Sequence, residues 1–189
     1  MMKKRAIDFV GDLSVMDSFV LFELTESPNM HILEFGVGGS TQIFAQRQPK
    51  QLVSVETDPL WAKLVINKID NDFPNAFKPL IIGYTTTFYT MFDLIFVDGV
   101  DDKRLEFAIN SWSSLHNSGV MVFHDTRRKF DFDQVLQFIS HVGTEVLSAQ
   151  FNYLDSNMTV LTKRSNKLLY ENWNMTEGLP KNYYSLLEN

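Results

Sequence analysis

The chain has 189 residues, 44% of them hydrophobic and 21% charged, which suffices for one sizeable core and is short for two. Its 23 acidic and 17 basic residues give a net charge of -6 with no basic stripe beyond Arg127-Arg128-Lys129, which argues against duplex nucleic acid as a partner. The absence of cysteine excludes disulfides and thiolate metal sites, and no window approaches the ~20 apolar residues that span a bilayer, so a cytoplasmic protein without membrane attachment is expected.

Met1-Met2-Lys3-Lys4-Arg5 is positively charged, but Asp8, Gly11 and Asp12 interrupt the chain before an apolar run develops, unlike a signal peptide. Met16, Phe19, Val20 and Leu24 recur at helical spacing and predict a helix over residues 13–26, in an N-terminal extension reaching residue 29. His31-Ile32-Leu33-Glu34-Phe35 then reads as a buried strand that stops at a glycine cluster, followed by a helix over residues 40–47. The alternation continues with a strand at 51–56, a helix from Pro59 to Ile69, and a weaker strand at 79–83. Residues 92–98 form the clearest strand, an almost unbroken apolar run of the sort buried on both faces of a parallel sheet.

Asp102 is placed to cap the next helix, which carries Leu105, Ala108, Ile109 and Trp112 and breaks at Asn117-Ser118-Gly119 before a strand at 120–123. Phe132, Val135, Leu136 and Ile139 mark a fifth helix, and strands at 145–151 and 158–163 flank the turn Asp155-Ser156-Asn157. The pattern predicts an α/β, Rossmann-like, doubly wound and mostly parallel seven-stranded sheet, with helices on both faces and one antiparallel edge-hairpin strand. One domain over residues 1–163 is expected. The tail at 164–189 holds Tyr170, Trp173, Tyr183 and Tyr184, and suits an arm over a site, a homodimer contact or loose order.

Ligands of doubly wound sheets bind outside the strand carboxyl ends, where the strand order reverses. Gly36, Gly38 and Gly39 lie there, and the helix start at Ser40 offers unpaired N–H groups to an anion, a pyrophosphate or an amino-acid carboxylate. Glu56 ends the second strand 22 positions after Glu34, where a carboxylate can accept both hydroxyls of a ribose. A dinucleotide fingerprint would need a third glycine where Thr41 stands.

Glu34-Phe35-Gly36-Val37-Gly38-Gly39-Ser40, with an acid two residues before a Gly-x-Gly, resembles the first motif of class I S-adenosylmethionine-dependent methyltransferases. Phe92 to Gly99 and Gly119 to Thr126 resemble the fourth- and fifth-strand segments of that family, and the resemblance spans roughly residues 30–163. It implies S-adenosylmethionine as cofactor, with Gly36 and Gly38 near its methionine part, Glu34 orienting the loop and Glu56 on the ribose. The stretch Gly83-Tyr84-Thr85 would flank the adenine, on which Tyr84 could stack.

Asp98, His124 and Asp125 fall at the carboxyl ends of adjacent strands and converge on the same rim. Methyl transfer to a hydroxyl needs a proton acceptor, and histidine is the natural general base near neutral pH. Small-molecule O-methyltransferases are the most similar relatives, together with a group acting on glycosyl acceptors that also carries His-Asp-Thr after the fifth strand. Metal-using relatives employ two acids and an asparagine. Asp98 and Asp125 match the acids and Thr126 replaces the asparagine, so a divalent ion such as Mg²⁺ would rest on two carboxylates and a hydroxyl, carbonyl or water. In relatives with His-Asp-Thr a second histidine follows the fourth strand, where this chain has Val100-Asp101-Asp102. His31, His116 and His141 read as surface or packing residues. A methyltransferase of a small-molecule hydroxyl is therefore expected, against the alternatives of a catalytically silent cofactor-binding or interaction module of the same fold and a nucleotide-sugar or NAD-linked enzyme on a similar sheet.

Overall fold

In the computed structural model, which describes residues 8–27 and 29–163, helices and strands alternate along the chain. They run α1 (Val15–Leu24), β1 (His31–Phe35), α2 (Gly39–Gln46), β2 (Gln51–Val55), α3 (Pro59–Asp72), β3 (Leu80–Ile82), β4 (Phe92–Val97), α4 (Arg104–Trp112), β5 (Leu115–Phe123), α5 (Lys129–Val142), β6 (Val146–Gln150) and β7 (Thr159–Lys163). The tail beginning at residue 164, with its four aromatic residues, lies outside the described residues.

One sheet of seven strands has the order β3-β2-β1-β4-β5-β7-β6. The first five are parallel, and β7 runs antiparallel to both β5 and β6. The hairpin of β6 and β7 thus closes the sheet, with β7 inserted inside and β6 at the edge. Period-two alternation divides β4 between two cores: Ile95 and Val97 pack with Phe107, Trp112 and Phe138 of α4 and α5, while Leu94 and Phe96 pack with Leu21, Phe44 and Val65 of α1, α2 and α3. Helices cover both faces, which is why β4 reads as a continuous apolar run.

Three local expectations need correction. In α1, Met16 and Phe19 are half exposed, and the inward face holds Asp17, Val20, Leu21 and Leu24. The reason is a capping box: Ser14 Oγ accepts from Asp17 N at 3.1 Å and Asp17 Oδ2 accepts from Ser14 N at 3.1 Å, which sets the helix rotation around a buried acid. Asp102 makes no side-chain cap, because residues 101–103 form a 3₁₀ turn ahead of α4. Asn117-Ser118-Gly119 does not interrupt β5, which begins at Leu115. A Cβ on Gly119 would come within 2.9 Å of the Asp93 carbonyl, so glycine there permits close strand contact.

The reversal of strand order lies between β1 and β4. Both strands exit through glycines with positive φ, Gly36 at 86° and Gly99 at 62°, and the two touch backbone to backbone. A Cβ on Gly36 would stand 2.4 Å from Gly99 N. Gly36→Ala should therefore lower unfolding free energy by more than ~2 kcal/mol in urea titrations. Gly83→Ala, where a Cβ meets nothing within 4 Å, should change it little.

Candidate functional site

A cavity of about 410 Å³ opens at the carboxyl ends of β1, β2, β4 and β5, within the usual range for a small-molecule site. Gly36 to Ser40 form one wall, Glu56 and Trp61 another, and Asp98, His124, Asp125 and Arg128 the rim. The loop is held open from below and from the side. Trp61 Nε1 donates to the Val37 carbonyl at 2.5 Å, and Glu56 Oε2 accepts from Val37 N at 3.2 Å. Thr41 Oγ1 accepts from Gly38 N at 2.9 Å, so the residue standing where a dinucleotide fingerprint has glycine fastens the loop.

The chain before α1 crosses this loop. Gln42 clamps it, accepting from Val10 N at 2.7 Å and donating to the Asp8 carbonyl at 3.3 Å. A Cβ on Gly39 would lie 2.9 Å from the Leu13 Cβ. Gly39 therefore admits the crossing chain, and Val10 to Leu13 join the cavity wall. Gln42 is recognisable only afterwards, as a fully buried amide on a short helix.

Glu34 lies beneath the loop and does not line the cavity. It is fully buried, accepting from Ser54 Oγ at 2.5 Å and from Ser40 Oγ at 3.0 Å, and so ties β1 to β2 and to the start of α2. Burial raises its carboxyl to about 7, against the opposing pull of the Ser54, Thr41 and Ser40 hydroxyls. Glu56 does line the cavity, and its Oε1 accepts from the backbone amides of Thr57 and Asp58 at 2.7 and 2.8 Å. Tyr84 is turned away: it is half exposed, bonds through its hydroxyl to Glu106 and is absent from the cavity wall. Besides Trp61, Phe107 reaches the cavity, stacked on Phe35 with ring centroids 4.6 Å apart.

Asp98, His124 and Asp125 do converge. His124 Nδ1 is 3.3 Å from Asp98 Oδ2 and 3.7 Å from Asp125 Oδ1, and its Nε2 is 3.5 Å from Asp17 Oδ2. Both ring nitrogens thus face carboxylates at ion-pair distance, short of hydrogen-bond geometry. Burial alone would lower the imidazole's pKa, but Asp17, Asp98 and Asp125 overcome it and hold it at about 10. Asp17 is the reciprocal case: burial pushes its carboxyl up, and His124, Ser14 and the Asn157 amide bring it down to about 2. The three acids favour the protonated imidazole at neutral pH, a form that does not suit the general-base role expected of His124 from sequence.

Arg104, which no sequence motif indicates, backs the rim from inside the fold without lining the cavity. Its Nη2 lies 2.6 Å from Asp98 Oδ1 and 3.3 Å from Asp125 Oδ2, and its Nη1 2.9 Å from Asp131 Oδ1. Arg128 adds a second contact to Asp125 at 2.9 Å, and Asn157 Nδ2 donates to the other Asp125 oxygen at 2.8 Å. Asp125 holds these partners with a φ of 59°, in the left-handed region that aspartate tolerates. A readable signal did exist: an arginine opening a helix opposes the dipole and implies acidic partners elsewhere. Ser14-x-x-Asp17 was legible as a capping box in the same way. Asp98, His124 and Asp125 offer ligand atoms within 4.8 Å of one another, but the Arg104 and Arg128 guanidinium groups and the Asn157 amide already pair with the two carboxylates, so these residues do not fit Mg²⁺.

No family model matches the sequence, and no curated protein does. Solved structures match across most of the chain. An O-methyltransferase from Bacillus cereus in complex with SAH has a TM-score of 0.66 at 15% identity, covering 80% of this chain and 83% of that one. The O-methyltransferase TomG from Streptomyces achromogenes, in complex with SAM, has a TM-score of 0.62 at 15% identity, covering 80% and 81%. This chain has the methyltransferase fold. A ribosomal protein L11 methylase from Lactobacillus delbrueckii subsp. bulgaricus shares it too, with a TM-score of 0.59 at 10% identity over 81% and 79% of the chains, so the fold leaves the acceptor open.

The raised Glu34 carboxyl has a testable consequence. An acid whose folded pKa lies near 7 against an ordinary 4.5 costs stability as pH rises between those values. Glu34→Gln should remove that part of the pH dependence, on the order of 3 kcal/mol, in urea midpoints taken from pH 4.5 to 8. Parallel profiles for the two proteins would show that Glu34 ionises freely in the fold.

Proposed function

We propose that the protein is an S-adenosylmethionine-dependent methyltransferase acting on a small-molecule acceptor, at a hydroxyl oxygen. The observation that supports this most is the pairing of Glu56 with the glycine loop. Both line one cavity at the β1–β4 switch point, joined by the Val37 amide, in a fold shared with O-methyltransferases solved with SAH or SAM. Glu56 would hold the ribose, and the free N–H groups at the start of α2 would take the carboxylate of the methionine part. Gly99, Val100 and Phe107 line the side left for the adenine.

The cofactor supplies an electrophilic methyl group on a sulfonium, so the protein's tasks are placement and proton removal. Asp12, Glu56, Asp98, Asp101 and Asp125 all line the cavity, and this carboxylate excess suits a cationic ligand. Asp98 is the proposed base. It stands at the rim with its side chain 31% exposed; Arg104 holds its Oδ1, and its Oδ2, 3.3 Å from His124 Nδ1, would accept the acceptor's hydroxyl proton. When bound, the cofactor would give its methyl group to the hydroxyl oxygen and leave as the neutral thioether. His124 and Asp125 act here by holding Asp98 and the rim in place.

Calorimetry distinguishes this reading from the alternatives. S-adenosylhomocysteine should bind and NAD should not, and Glu56→Ala should weaken S-adenosylhomocysteine by about 10- to 100-fold. Asp98→Asn should keep that affinity while turnover on hydroxylated acceptors falls at least ~100-fold. Binding of NAD without S-adenosylhomocysteine would refute the proposal.

A further inference from the structure

Two carboxylates aimed at one point need a cation between them, either an ion or a side chain. Asp98 and Asp125 converge in this way, and the cation that hydrogen-bonds to both is the guanidinium of Arg104, 3% exposed. His124 Nδ1 approaches them at 3.3 and 3.7 Å, and Arg128 pairs with Asp125 alone of the two. One Arg104 nitrogen, Nη2, bridges Asp98 at 2.6 Å, Asp101 at 3.1 Å and Asp125 at 3.3 Å. The other, Nη1, is committed to Asp131 at 2.9 Å and to the His124 carbonyl at 3.1 Å. Asp131 is itself only 2% exposed, so a metal ion entering between Asp98 and Asp125 would have to expel a buried guanidinium and leave a buried acid with Arg128 as its remaining charged partner.

We infer that Arg104 is the resident cation of the Asp98–Asp125 pair, that this rim works without a divalent ion, and that Arg104 is a positioning residue for Asp98. The planar fork suits the task, because it reaches several carboxylates in fixed directions where an ammonium is a single point. Arg104 starts α4, Asp98 follows β4, Asp131 lies in the first turn of α5 and Asp125 follows β5, so the cation also ties together four elements around the cavity. The charge balance stands whatever the reaction; only the positioning role rests on the reading of Asp98 above.

The test uses the full chain and Mn²⁺ as probe, with binding read by water-proton relaxation and stability by thermal unfolding. The wild-type protein should show no Mn²⁺ binding below about 1 mM and no change in Tm with Mn²⁺ or chelator. Arg104→Ala should lower Tm by roughly 5–10 °C, bind Mn²⁺ at least ~10-fold more tightly than wild type, and recover part of the lost Tm when the ion is added. Arg104→Lys should fall between the two in both readouts, and it carries the comparison if Arg104→Ala is recovered unfolded. Tight Mn²⁺ binding by wild type that Asp98→Asn abolishes would overturn the inference. So would an Arg104→Ala protein with the Tm and Mn²⁺ affinity of wild type. Loss of S-adenosylhomocysteine binding in calorimetry would count against the proposed function alone, since neither Mn²⁺ readout depends on it.

Discussion

The contact between Gly36 and Gly99 governs the site. These residues end the two strands between which the order reverses, and with a φ of 86° and 62° they turn the chain away on either side of a shared backbone contact. The cleft opens because the two exits diverge. Its floor is already fixed by packing: Phe35 precedes one glycine and stacks on Phe107, and a Cβ on Gly99 would press on that same ring at 3.3 Å. Core and cavity therefore share a wall, and the cradle needs no ligand to hold its shape.

Around that opening the protein gathers charges from distant parts of the chain. Asp17 comes from α1, Asp98 from the end of β4, Arg104 from α4, His124 and Asp125 from the end of β5, and Asp131 from α5. Buried ions are unfavourable unless each is paired, so the group is stable only as a set. Asp17 held near 2 and His124 held near 10 express the same fact, since each keeps the other charged across the neutral range. In the proposed methyltransferase, a rim arranged in advance would act by orientation and fixed electrostatics, the larger part of what group transfer requires.

The architecture was legible because its signals are local. Apolar runs ending in glycine, an Asp-Pro helix start at residue 58 and the Asp155-Ser156-Asn157 turn each report on a few neighbouring residues. Glu56, the glycine loop and Asp98 were legible for the same reason, as their positions follow from where strands end. Partnerships were not. That His124 faces three acids, that Arg104 lies between carboxylates and that Asp17 reaches Asn157 across 140 residues all depend on tertiary placement. Tyr84 and Phe107 show the limit most plainly: the tyrosine follows the expected strand end but does not line the cavity, while a phenylalanine from the helix after β4 does.

A crystal structure with S-adenosylhomocysteine bound tests the central claim most directly. The expected result is one molecule at the β1–β4 switch point, its ribose hydroxyls on Glu56, its carboxylate at the amides opening α2 and its sulfur facing Asp98. Density on the outer face of the sheet, or a ribose far from Glu56, would contradict it.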